Sequence, residues 1–446
     1  MFTHWKNKSI VSHLALLILL ISGIFLRSLY PMAVSFGFDQ VQILESVERI
    51  RQGDVTLIGP RTGPADMFTG PLIYYLAVPF VTFFGEVKTV IIVPLVIALI
   101  TGMCLFGLIG KYIGKKEAWL ATFIWAFSPF LISIDRVFWN PNLTLLSSFL
   151  LIIPLLKTNS KQIDRITLLS IGIGSFLSYQ AHFSGLLLVA IAFACLFYLK
   201  KPLVYYAAIV FSLAVSVLPT VLFDIRHNFL NLRGLLNLIS TKSEFNGLIL
   251  ISDIAHNIYV IIETTGKLFL FGSSTIAITL CGLLLIVAGI WCYRKNKEVR
   301  LTLLCLMGIA VSYAFYHGEK PEYYFLIALP FLFYIVLKVL KNVPRMNLFF
   351  FLFIFAGYSL FMNVRLLSED TGLSLGNIQK VQQYLHQQSV SEVIYDLPMG
   401  SEFGMKYFLA KVVHNETGKI YHVAYPDVET NEPTFFVGRI GVWAEQ

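Results

Sequence analysis

Charge is what this chain has least of. Charged residues fill 13% of its 446 positions and apolar ones 57%, against roughly 25% and 45–50% in a soluble domain. That deficit excludes a large water-soluble core and leaves a polytopic membrane protein. Cysteine is scarce as well. All five (Cys104, Cys195, Cys281, Cys292, Cys305) fall within or at the ends of apolar runs, which excludes a disulfide framework and a cysteine-built metal site. There is no repeat at periods of about 20–50 residues and no low-complexity segment. Nor are there paired halves with matching broken helices, the pattern of inverted-repeat transporters. The first apolar segment lacks a small-residue cleavage site, so it reads as a retained anchor.

What is present is a series of apolar runs of helix length, since a barrel would show short alternating segments. Basic residues cluster at every second connection: Lys6/Lys8, Lys111/Lys115/Lys116, Lys157/Lys161/Arg165, Lys200/Lys201, Arg294/Lys295/Lys297/Arg300 and Lys338/Lys341/Arg345. The positive-inside rule places those connections and the N-terminus in the cytoplasm. The net charge of +8 is therefore a topology signal and makes no case for nucleic acid. Eleven spans are expected: Ile10–Tyr30, Thr89–Gly110, Ala118–Ile134, Leu143–Leu156, Ile166–Tyr179, Phe183–Leu199, Leu203–Phe223, Ser273–Tyr293, Leu301–Tyr316, Tyr323–Leu340 and Leu348–Val364. Pro71 to Phe84 is too short to cross, and crossing would put Lys111, Lys115 and Lys116 outside. Asp224 to Lys267 reads as a long external stretch. Residues 1–364 form the membrane domain. Residues 365–446 read as a small external α/β domain, with a helix at Asn377–Gln388 and strands at Ser391–Asp396 and Phe435–Val442. The fold class is thus an all-α polytopic membrane protein of about 11 helices with a C-terminal α/β domain. Its place is the cytoplasmic membrane, with the C-terminus outside.

The chain is organised around the loop Pro31 to Gly85, long for a connection after a first span and carrying Asp39 two residues past Gly37. On this topology most polar side chains at membrane edges share the external face. Asp39, Arg61 and Asp66 lie in that loop. Arg136, Trp139 and Asn140 follow span three, and Gln180 and His182 follow span five. Asp224 and Arg226 follow span seven, and Lys320, Tyr323 and Tyr324 precede span ten. Ionisable groups at bilayer depth are costly and mark function. Each has a plainer reading beside it. Arg136 and Lys320 can snorkel to headgroups, and Trp139, Tyr323 and Tyr324 suit the interfacial belt. His182 can be a satisfied core histidine, and Asp224 with Arg226 a surface pair. Asp39 has no basic neighbour in sequence, although it stands where an N-cap of the run QVQILESVERIRQG would stand.

The order GFDQ, GPLIYYLAVPFVTFFG, RVFWNPNLTLL, SYQAHFSG and GEKPEYYFLIALPF resembles the GT-C superfamily of membrane glycosyltransferases. Within it, the chain is most similar to the bacterial and archaeal branch of protein O-mannosyltransferases and aminoarabinose transferases. The resemblance spans most of residues 10–365. It implies transfer of a sugar from a polyprenyl phosphate to an extracytoplasmic acceptor, whether lipid, polysaccharide or protein. It implies a catalytic acid at Asp39. Many relatives carry two adjacent acids there and this chain has Gln40 second, which weakens any case for a metal at that spot. The sequence requires no cofactor and leaves a divalent metal open. The chemistry needs a base for the acceptor hydroxyl and cations for the departing phosphate. Asp39 is the expected base of an inverting reaction, and Arg136, Arg226 and Lys320 are the candidate phosphate ligands. Asp66, Asn140, His182, Tyr323 and Tyr324 are further substrate-site candidates. A transporter or flippase, or a glycan polymerase or ligase using lipid-linked sugars, is the alternative. The C-terminal domain is expected to serve acceptor access or stability rather than the chemical step.

Overall fold

The computed structural model describes residues 2–62, 67–157, 163–240, 247–316, 318–368, 373–397, 400, 402–410, 417–425 and 434–445. From the N-terminus come α1 (Phe2–Ser28), α2 (Phe38–Arg51), a two-stranded ribbon of β1 (Arg61–Thr62) and β2 (Met67–Phe68), α3 (Leu72–Phe84), α4 (Glu86–Tyr112), α5 (Lys115–Phe127) and α6 (Pro129–Asp135). The bundle continues with α7 (Asn142–Lys157), α8 (Arg165–Ala181), α9 (Ser184–Tyr198), α10 (Leu203–Arg226), α11 (Leu230–Ser240), α12 (Gly247–Leu270), α13 (Thr275–Tyr293) and α14 (Lys297–Ala314). A 3-10 segment, Glu322–Ala328, leads into α15 (Leu329–Asn342), followed by α16 (Arg345–Ser368). The C-terminal region holds α17 (Leu375–His386), β3 (Val390–Asp396), α18 (Glu402–Leu409), β4 (Lys419–Ala424), β5 (Phe435–Val437) and β6 (Ile440–Ala444).

This is a multi-pass helical membrane protein. By length and composition, six described segments can cross a bilayer: Ile10–Ser28, Glu86–Tyr112, Leu203–Arg226, Thr275–Tyr293, Glu322–Asn342 and Arg345–Ser368. A seventh is α5 with α6, bent by 65°. The bend follows from Pro129, which has no N–H and clashes with the preceding turn. Ser128 caps the new helix by accepting from Leu131 N–H. The count of eleven is not reached on length. The spans expected between Leu143 and Leu199 are helices of 16, 17 and 15 residues. These rise about 23–26 Å, short of the roughly 30 Å apolar thickness. The 13-residue α3 rises only about 20 Å, the length argument for its not crossing. Asp224 to Lys267 is largely helical. It contains α11 and most of α12, and Asn257 on α12 donates to the Ala310 carbonyl of α14 (2.9 Å).

The C-terminal sheet runs β3-β4-β6-β5, with β3 and β4 parallel and the other pairs antiparallel. The single strand expected over Phe435–Val442 is a hairpin. Gly438 and Arg439 both take positive φ (54° and 65°), the conformation of a two-residue turn that matches strand twist. This domain is not a free appendage. Its α17, α18 and sheet share one hydrophobic core with α2, α3 and the first half of α4. The Leu375 N–H donates to the Val34 carbonyl (2.9 Å), and Phe403 of α18 packs edge-on against Phe38 at 5.0 Å.

Candidate functional site

Asp39 lies in the first turn of α2, but it is not the cap. Gly37 is the N-cap, and Gln40 completes the box by accepting from Gly37 N–H (2.9 Å). The other end of the Gln40 amide donates to the Phe138 carbonyl (3.0 Å), which ties α2 to the α6–α7 turn. A carboxylate at position 40 has no hydrogen to donate there, so the single-acid pattern has a structural reason. The Asp39 side chain is left to line a cavity of about 320 Å³ together with Arg61, Trp139, Asn140, His182 and Tyr323. Burial pushes its pKa up from the ordinary carboxylate value.

Four connections build this cavity. The β1–β2 ribbon supplies Arg61. The α6–α7 turn supplies Asn140, whose amide donates to the Ala181 carbonyl, and Trp139, whose Nε1 donates to Asn142 Oδ1 (2.7 Å). The α8–α9 turn supplies His182. Ser184 N–H donates to its Nδ1 (3.1 Å), so that nitrogen carries the lone pair and Nε2 carries the hydrogen. Burial lowers the ring pKa to about 4, and the imidazole is a neutral donor at pH 7. The segment before α15 supplies Tyr323, which meets the Trp139 ring at 4.8 Å and the His182 ring at 5.3 Å, both edge-on. Tyr324 stands behind His182 at 4.5 Å and its carbonyl is taken by the Tyr313 hydroxyl (2.7 Å). It backs the wall rather than lining it.

The cations expected to hold phosphate go elsewhere. Arg136 is buried and its guanidinium donates to the carbonyls of Arg27, Leu29 and Tyr30. It closes the open end of α1, where helix carbonyls lack partners. Arg226 lines a separate cavity of about 380 Å³ with Arg49, Asp54 and His227. Lys320 lines neither cavity. Asp66 lies outside the described residues. Asp224 caps α11, accepting from the Asn231 and Leu232 N–H groups (2.9 and 3.0 Å), and is not ion-paired to Arg226. The cation that shares the cavity with Asp39 is Arg61, noted in the sequence among the polar residues of the loop but not ranked as a site residue. Nothing in the run GPRTG reveals its direction, which the pairing of Arg61 with Phe68 sets. On the facing strand of the ribbon, Met67 pairs with Thr62. Met67 lines an apolar cavity of about 370 Å³ with Tyr179, Phe183, Leu186 and Val217. Among the described residues no three His, Cys, Asp or Glu side chains converge as metal ligands.

No protein-family model matches the chain, and no curated protein does. Solved structures do. ArnT from Cupriavidus metallidurans bound to undecaprenyl phosphate superposes with a TM-score of 0.63 at 11% identity, over 96% of this chain and 97% of ArnT. ArnT in the apo state gives 0.60 at 11% identity, over 99% and 98%. The Archaeoglobus fulgidus oligosaccharyltransferase in the apo form is a weaker match, with a TM-score of 0.46 at 13% identity over 94% of this chain and 62% of that one. At such identity the likeness to ArnT is one of fold, and it runs from end to end of both chains.

Proposed function

We propose that this chain is a membrane glycosyltransferase that moves a sugar from a polyprenyl-phosphate donor to an acceptor hydroxyl, with inversion, at the end of the bundle that carries Asp39. The observation that carries the reading is one cavity that brings together a half-buried carboxylate, a guanidinium and a neutral imidazole donor, set in an ArnT-like fold. Asp39 takes the proton from the acceptor hydroxyl as its oxygen attacks the anomeric carbon. The bond from that carbon to the phosphate oxygen breaks, and the electron pair leaves with the polyprenyl phosphate. Arg61 meets the growing phosphate charge with its planar fork. His182 Nε2–H donates to a sugar or phosphate oxygen, and the Trp139 and Tyr323 rings present faces to the sugar. The apolar cavity behind Met67 takes the first isoprene units. This orientation puts Asp39 and the C-terminus on the extracytoplasmic side.

The test is incubation of the purified protein, in nanodiscs, with a panel of polyprenyl-phosphate sugars, scoring free sugar and transferred sugar. Turnover of at least one donor is expected. A folded protein that turns over none, or cysteine-accessibility labelling that finds position 115 or 297 outside, overturns the reading.

A further inference from the structure

The cavity at the far end of α2 is unused by the chemistry above, and its lining is unlike a simple cationic patch. Arg49 and Arg226 supply two guanidinium groups, Asp54 a carboxylate, Ser46 and Thr56 hydroxyls, and Phe223 an aromatic face. None of Arg49, Arg226 and Asp54 is ion-paired among the described residues. Arg49 and His227 are held in place. Arg49 Nη2 donates to Ser46 Oγ (3.1 Å). His227 stacks on Phe223 at 3.9 Å and 14°, with its Nδ1 donating to the Phe223 carbonyl (2.8 Å). Forked donors suit a phosphate or carboxylate. A carboxylate and hydroxyls beside them suit the hydroxyls of a sugar, and the ring suits its apolar face. Together they fit an anionic carbohydrate.

Its place on α2 assigns the ligand to one substrate. Asp39 and Arg49 stand about 15 Å apart along the helix at 1.5 Å per residue. Between them Tyr74 of α3 is buried in the core that α2 and α3 share. The donor's anomeric carbon must sit about 3–3.5 Å from the attacking oxygen, and the leaving phosphate is one bridging oxygen beyond that carbon. The donor phosphate therefore belongs near Asp39 and Arg61. We infer that the Arg49–Arg226 cavity holds an anionic sugar residue of the acceptor, two helical turns or more from the hydroxyl that is glycosylated. This inference rests on the reading of the Asp39 cavity as the transfer site.

The experiment is calorimetric titration of the full-length protein in phosphatidylcholine nanodiscs with glucuronic acid, glucose 6-phosphate and glucose. Saturable binding of at least one anionic sugar, with no binding of glucose, is expected. Arg49→Gln and Arg226→Gln, each checked for an unchanged melting temperature, should each weaken it at least tenfold, and Asp39→Asn should not. Equal binding of glucose, binding unchanged in both arginine variants, or no binding at all overturns the inference. Displacement by polyprenyl phosphate would make this the donor phosphate site, and loss of binding in nanodiscs containing phosphatidylglycerol would make it a headgroup site; either result also overturns it. Donor hydrolysis, measured in parallel on the wild-type protein, reports on the transferase reading alone, so the two can fail separately.

Discussion

Replacing Asp39 with Asn removes basicity and little else. The side chain keeps its size, and the helix keeps its cap, because Gly37 and Gln40 supply it. Loss of a general base costs typically 10²–10⁴-fold in rate, which is about 3–5 kcal/mol of barrier. The folded chain behaves differently. Burial raises the Asp39 pKa, so the folded state holds that proton more tightly than the unfolded chain does. The stability this gives is present below the unfolded value of about 4 and is lost as pH rises through the raised value. At neutral pH Asn escapes that loss, and Asp39→Asn should melt no lower than wild type. Wild-type turnover should fall on the acid side with a limb above the ordinary carboxylate range, and His182, with its pKa near 4, should add no limb between pH 6 and 7. Single-turnover transfer and thermal melting, both in nanodiscs, measure the two effects. Near-normal transfer by Asp39→Asn refutes the base role. A lowered melting temperature refutes the argument that the carboxylate is free of structural duty.

Three further changes probe the neighbours. Arg61→Ala should cost about 10²–10³ in turnover, the scale for one lost donor to a developing charge; Arg61→Lys should recover part of it, and an unchanged rate in Arg61→Ala would release Arg61 from the leaving-group role. Gln40→Glu should destabilise by about 1–3 kcal/mol, because the Phe138 carbonyl loses its donor, read as a lower melting temperature. Phe403→Ala should lower kcat with the donor KM unchanged, and Phe403→Tyr should restore it. A loss confined to donor KM would contradict the packing of α18 on the Asp39 helix.

Part of this arrangement was legible in the sequence. Basic clusters and apolar runs place Asp39, Asn140, His182 and Tyr323 on one side of the membrane, and the structure brings those four into one cavity. Side of membrane is all that such patterns carry. They do not say which neighbour a long side chain reaches, so Arg136, whose partners are carbonyls more than a hundred positions earlier, reads like any free arginine. Arg61 is hidden for the converse reason, since its direction depends on a two-residue ribbon with no apolar alternation to reveal it. The hairpin at Gly438 and Arg439 was hidden because an arginine at positive φ breaks the usual turn preference. The eleven-span count is not reached at α7, α8 and α9, whose 16, 17 and 15 residues are short for a bilayer; α7 is buried almost throughout, and a helix packed on protein need not match the bilayer thickness.

The shared core of the C-terminal domain and α2 has a consequence for how the protein comes into being. Val34, Phe36 and Phe38 leave the ribosome more than 300 residues before Leu375, Phe403 and Phe408, yet they pack on one another. Gly404 lies so close to the Phe36 carbonyl that a Cβ there would stand 2.2 Å from its oxygen, so this late segment must seat closely. Contacts between chain ends form only after the intervening loop closes, and they are slow to form. The helix bearing Asp39 thus gains its final support only when the C-terminal domain has been made and seated. Until then that helix leans on α3 and on the α6–α7 turn alone, and seating of the C-terminal domain completes the packing around it.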